Sequence, residues 1–131
     1  MTGVQTCALP IFDRAVKNQP ITIYGDGEQT RDFIYVKDIV AANVFFATQS
    51  KATGVFNVTY GKKITIKELA QKIFALTGSK SEIKHAPERA GDVKHSLAAI
   101  DKLRAAGFAP TSNFEDGLAA TIQFFQGNAK G

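Results

Sequence analysis

"ITIYGDGEQTRDFIYVKD", residues Ile21 to Asp38, decides the fold class, because the chain changes its periodicity inside this stretch. Ile21 to Tyr24 alternate and are rich in β-branched types, so they read as a strand. Gly25, Asp26 and Gly27 then break the run with residues that tolerate turn geometry. "DFIYV" is expected to add a short extended piece before Asp38, after which "IVAANVFFATQ" spaces its apolar residues as a helix does. Strand and helix signals in close succession point to an α/β chain.

The same alternation continues on both sides. Upstream, "FDRAVKN" is a short amphipathic segment stopped by Pro20. Downstream, Gly54 closes the helical unit, "VFNVT" (Val55 to Thr59) reads as a second strand, and "YGKK" reads as a loop. "TIKELAQKIFALTG" is the clearest helix in the chain: Thr65 and Glu68 stand at capping-box spacing and Gly78 supplies the stop. "EIKHAP" reads as a third strand, followed by a polar loop from Glu88 to Lys94 and a short helix from Asp101 to Ala106 that ends at Gly107. A last helix opens on Ser112 and Glu115, again at capping-box spacing, and runs to about Gln126. So few short strands fall short of a full doubly wound domain, and a small α/β lobe is expected.

Composition sets outer limits. At 131 residues the chain can build one modest core, and 44% hydrophobic against 21% charged residues excludes a disordered chain. No apolar run is long enough to span a bilayer, so no membrane partner is expected. Sixteen Lys and Arg against twelve Asp and Glu leave a net charge of +4, dispersed along the chain, which reads as a solvated surface and not a nucleic-acid face. Cys7 is the single cysteine, so no internal disulfide can form and a reducing cytoplasm fits. The first eleven residues, "MTGVQTCALPI", lack periodic apolar spacing and resemble translated sequencing adapter. They are read as a non-native, disordered leader, with the folded lobe spanning residues 12–131.

Self-sufficient chemistry is scarce. The chain has no G-x-G-x-x-G, P-loop, H-E-x-x-H or paired cysteines, and His85 and His95 lack a third ligand at a metal-binding spacing. Asp26 and Asp32 can be imagined as an acid and base pair, but turn capping accounts for both more simply.

Three stretches, "ITIYGDGEQTRDFIYVKDIVAAN", "GVFNVTYGKKITIKELAQKI" and "ERAGDVKHSLAAIDKLRAAGFAP", resemble successive motifs from the C-terminal part of the NAD-dependent epimerase/dehydratase family, the extended short-chain dehydrogenases acting on nucleotide sugars. The similarity runs from Phe12 to Gln126 and is greatest to UDP-sugar 4-epimerases, with dehydratases, decarboxylases or a non-catalytic relative as alternatives. It implies that a Rossmann half with the NAD loop and a Tyr-x-x-x-Lys pair is missing. Tyr35 is followed by Lys37, which is the wrong spacing, and the chain alone is expected to be inactive. NAD is implied for the parent enzyme, bound mainly by the missing half, and the parent is implied to be a homodimer. No catalytic, cofactor or metal residue is assigned here.

The resemblance also implies a substrate role for Arg31 and Arg89 at the diphosphate of a nucleotide sugar, UDP-linked by the similarity. Asn57 lies nearby, Asp92 at the ribose hydroxyls or anchoring the loop, and Tyr24 beside the nucleotide. A planar guanidinium suits this work, because it meets a diphosphate with paired, charge-assisted bonds. The competing reading pairs Arg31 with Asp26 or Asp32 to staple the turn. Two departures from the family pattern stand out. Thr59 occupies a position where glycine is frequent, and Ala99 one where aspartate is frequent, which leaves Asp101 to cap the short helix. A lobe parted from its Rossmann half is expected to expose an apolar face, with Phe33, Phe45 and Phe46 as candidates.

Overall fold

Helix α1 (Leu9–Val16) opens the computed structural model, which describes residues 8–129. Pro10 sits in its first turn, where the missing N–H breaks no helical bond. Ile11, Phe12 and Ala15 form its buried face. Ile11, the last residue of the stretch set aside as a leader, is only 3% exposed and belongs to the core. The apolar spacing of α1 straddles the supposed junction, so neither side shows it alone. Met1 to Cys7 lie outside the described residues, and so does most of the supposed leader.

Strand β1 (Ile21–Tyr24) follows as expected, with Ile21 and Ile23 inward. Next come β2 (Thr30–Arg31), helix α2 (Val36–Thr48) and β3 (Ile64–Thr65), which leads directly into helix α3 (Ile66–Thr77). Strand β4 (Ile83–Ala86), the short helix α4 (Asp101–Ala105) and the long helix α5 (Phe114–Ala129) complete the chain. Strands β1 and β4 pair in parallel with Ile21 opposite Ile83, while β2 and β3 pair antiparallel with Thr30 opposite Thr65. The main core lies between α1, β1, α3 and α5 and includes Leu69, Ile73, Leu118 and Ile122. A second, smaller core joins Ala42, Leu103 and Phe108, with Phe45, Phe46, Phe56 and Val58 packed against it.

The capping box of α3 forms as the sequence requires: Glu68 N–H donates to the Thr65 hydroxyl at 3.0 Å and Thr65 N–H to the Glu68 carboxylate at 2.8 Å. Gly78 closes the helix with φ 65°. Helix α5 starts one residue later than the Ser112 reading. Asn113 caps it, accepting from Asp116 N–H at 2.8 Å, and the Asn113 amide donates back to the Asp116 carboxylate at 2.7 Å. Ser112 is occupied elsewhere, its N–H donating to Asp38. Asp101 lies inside the first turn of α4 behind an Ile100 cap and makes no capping bond.

Val55 to Thr59 is not a strand. The alternation that suggested one persists, with Phe56 and Val58 half-buried and Asn57 exposed, but no strand among the described residues runs beside it to complete a ladder. The extended piece expected from "DFIYV" likewise forms earlier, at Thr30–Arg31, where β3 offers a partner. Phe33, Phe45 and Phe46 are half-buried. The exposed apolar residues instead include Val36, Val40 and Val44, which share one stripe of α2, together with Val55, Val93, Leu97 and Phe124. No helix among the described residues is long and apolar enough to cross a membrane.

Candidate functional site

The turn after β1 builds one edge of the site. Gly27 has φ 80°, and a Cβ there would come within 3.2 Å of the Lys67 Cβ and 3.3 Å of an Ile23 methyl, so glycine is required twice over. The close approach lets the turn receive the first free N–H groups of α3: Lys67 donates to Gly27 O at 3.0 Å and Ile66 to Gln29 O at 3.1 Å. Asp26 caps its own turn, accepting from Glu28 N–H at 2.9 Å, a bond that holds its carboxyl below the usual range. Asp32 faces another segment, accepting from Tyr60 N–H at 3.2 Å. The two carboxylates therefore serve different partners.

Arg31 is buried, its side chain only 7% exposed. It pairs with neither Asp26 nor Asp32. Its Nη1 donates to Thr30 O at 2.8 Å, and its Nη2 stands 3.9 Å from the Asp92 carboxylate, an ion pair too long for a hydrogen bond. Among the described residues the rest of its donor edge is unused. No Arg31 nitrogen is both sealed from solvent and unpaired, so its remaining donors are accessible, and an anion beside them would gain charge-assisted bonds.

Arg89 stacks on Tyr24, its guanidinium carbon 3.7 Å from the ring centroid. Asp92 N–H donates to Arg89 O at 3.2 Å, so one tight turn carries both Arg89 and the partner of Arg31. The fold thus brings Tyr24, Arg31, Arg89 and Asp92 together around the end of β1. Asn57 is exposed, between Phe56 and Val58 which pack on the second core, and no hydrogen bond joins it to those four among the described residues. Beside Tyr24 opens a cavity of about 210 Å³ with walls of Ile11, Ile23 and Ile66 and a rim that includes Gln29 and Arg89.

A neighbouring network escaped the sequence reading. Asp38 is 2% exposed and accepts from the Tyr60 hydroxyl at 2.7 Å, Thr111 N–H at 3.0 Å and Ser112 N–H at 3.3 Å. Burial by itself would raise its pKa, but these donors prevail and hold it below the usual carboxylate range. Burial first, and then the bond to Asp38, push the Tyr60 hydroxyl up to about 12. The signal available in the sequence was an acid set in the apolar run "IYVKDIVAAN"; its partners lie too far along the chain to be inferred.

Comparison with known proteins agrees with this architecture. The sequence profile of the NAD dependent epimerase/dehydratase family matches residues 4–59, starting inside the stretch set aside as a leader. By sequence and by fold, the chain is similar to members of this family. The solved UDP-N-acetylglucosamine 4-epimerase of Methanobrevibacter ruminantium is 44% identical with a TM-score of 0.83, over 91% of this chain and 39% of that one. The UDP-glucose 4-epimerase of Thermotoga maritima, solved with UDP-glucose, is 32% identical with a TM-score of 0.85, over 91% and 38%. A UDP-N-acetyl-alpha-D-glucosaminuronate decarboxylase of Bacillus cytotoxicus is 35% identical over 95% of this chain and 41% of its own. The chain spans about two-fifths of the length of the curated relatives it matches.

Proposed function

We propose that this chain is the nucleotide-gripping part of an NAD-dependent nucleotide-sugar enzyme, a UDP-sugar 4-epimerase by its similarity to epimerases that share its fold. The observation that carries the reading is Arg31: a buried guanidinium with donors to spare, across a tight turn from Arg89. Arg31 together with Arg89, which is exposed and stacked on Tyr24, suits a diphosphate, each contributing charge-assisted bonds. Asp92 then orients Arg31 and holds the Arg89 turn, and Tyr24 supports Arg89 from below. The cavity lined by Tyr24 and Arg89, though not by Arg31 or Asp92, is smaller than the ~300–1,000 Å³ usual for a whole small-molecule ligand, which suits one end of a nucleotide sugar. Asn57 is kept as a substrate contact by the resemblance alone.

The residues of this chain do not fit an NAD site, having neither the glycine-rich fingerprint nor a Tyr-x-x-x-Lys pair. NAD therefore belongs to the remainder of the parent, and the chain alone is inactive. A decarboxylase or dehydratase is the second reading, favoured by the 35% identity to the Bacillus decarboxylase. The test is titration of UDP into the chain and its variants, well below their melting temperatures. Arg31→Ala and Arg89→Ala should each weaken UDP by about 10- to 100-fold, the equivalent of one charge-assisted contact at about 1.5–3 kcal/mol. Lysine at either position should recover part of the loss. UDP affinity unchanged in both alanine variants would refute the diphosphate assignment.

A further inference from the structure

We propose that Thr30 and His95 form a clip that sets the position of the Arg89 turn, making His95 a positioning residue for the anion held there; the ligand half of this rests on the diphosphate reading above. Thr30 is buried and meets the far loop with every group it has. Its N–H donates to Lys94 O at 2.9 Å, its carbonyl accepts from Ser96 N–H at 3.2 Å, and its hydroxyl meets His95 Nδ1 at 3.0 Å. Thr30 of β2 and His95 make an isolated parallel bridge, and His95 belongs to no strand.

A single bridge fixes register poorly, because backbone groups are the same at every residue and a slip of one position reverses which side chains face inward. The side-chain bond between Thr30 and His95 removes that freedom, since only one pairing brings hydroxyl and imidazole together. His95 is otherwise exposed and packs in neither core, so its side chain has no competing structural task. The consequence for the site follows from sequence distance. Residue 31 pairs with residue 92, and residue 92 closes the turn onto residue 89. A loop displaced at His95 would carry Asp92 away from Arg31 and Arg89 away from Tyr24.

The test has two arms on the 131-residue chain. In the first, amide hydrogen exchange is measured without ligand: His95→Ala and Thr30→Val should speed exchange at the amides of residues 30, 92 and 96 while the melting temperature stays near wild type. In the second, UDP affinity should fall about two- to tenfold in either variant, as for one neutral hydrogen bond. The double variant should be no worse than either single one, because both remove the same bond. His95→Asn is the control that separates this role from general destabilisation. Its amide can donate or accept near the Nδ1 position and should restore both slow exchange and affinity. Unchanged exchange in His95→Ala, or no rescue by His95→Asn, overturns the clip. Absence of UDP binding by the wild-type chain overturns its service to a diphosphate, while the exchange arm still decides the clip itself.

Discussion

Tyr60→Phe is the perturbation whose size the structure defines best. It removes one atom, the hydroxyl that donates to the buried Asp38 carboxylate at 2.7 Å, and leaves the ring in place. Asp38 then keeps only the donors of Thr111 and Ser112, and Tyr35 N–H loses its 3.4 Å contact to the same hydroxyl. A hydrogen bond to a charged group contributes about 1.5–3 kcal/mol, and the long Tyr35 contact adds little. For a chain of this length each kcal/mol moves the melting temperature by roughly 3–5 °C, so the variant should melt about 5–15 °C lower. Urea unfolding should show the midpoint moving with the slope unchanged.

The pH dependence gives a second readout, with signs that follow from the two shifts. The Asp38 pKa is depressed, so its stabilisation is full above the ordinary carboxylate value of about 3.9 and is lost as pH falls through the lower folded value. Losing its strongest donor raises the folded pKa, and Tyr60→Phe should begin its acid unfolding at higher pH than wild type. Tyr60 is the opposite case: raised to about 12 from 10.0, its hydroxyl stabilises fully below 10 and loses that contribution between there and about 12. The variant should lack this alkaline component. A melting temperature within about 2 °C of wild type, with acid and alkaline profiles superimposed, would refute the view that this network fastens α2 to the segment before α5.

Other expectations follow from single contacts. Ile11→Ala should lower stability by about 2–5 kcal/mol in urea unfolding, since Ile11 is buried in the main core, and deleting residues 1–11 should be at least as damaging. Gly117→Ala should cost about 1–3 kcal/mol in the same assay, because the new methyl would stand 2.8 Å from the Tyr35 Cβ, an atom with no freedom to swing away. Thr65→Ala, which removes the hydroxyl side of the α3 capping box, should cost about 1 kcal/mol. The chain should self-associate in sedimentation runs through the valine stripe of α2, and Val40→Glu should shift it towards monomer with little change in melting temperature.

The sequence by itself determined what is local. The alternation of Ile21 to Tyr24, the Gly25 to Gly27 turn and the Thr65 to Gly78 helix with both its caps depend on neighbours within a few positions, so their chemistry is legible in order along the chain. The resemblance singled out Tyr24, Arg31, Arg89 and Asp92, but the contacts of Arg31 with Asp92 and of Arg89 with Tyr24 appear only in the fold. Tertiary structure decided whatever needs a partner from elsewhere. Val55 to Thr59 has a strand's pattern but no strand beside it among the described residues, and Ile11 enters the core because α3 and α5 are there to receive it. Arg31 passes over its sequence neighbours Asp26 and Asp32 for Asp92, since the first caps its own turn and the second is turned towards Tyr60. Asp38 is buried only because Tyr60, Thr111 and Ser112 converge on it, and pairings separated by so many residues leave no periodicity for a sequence to show.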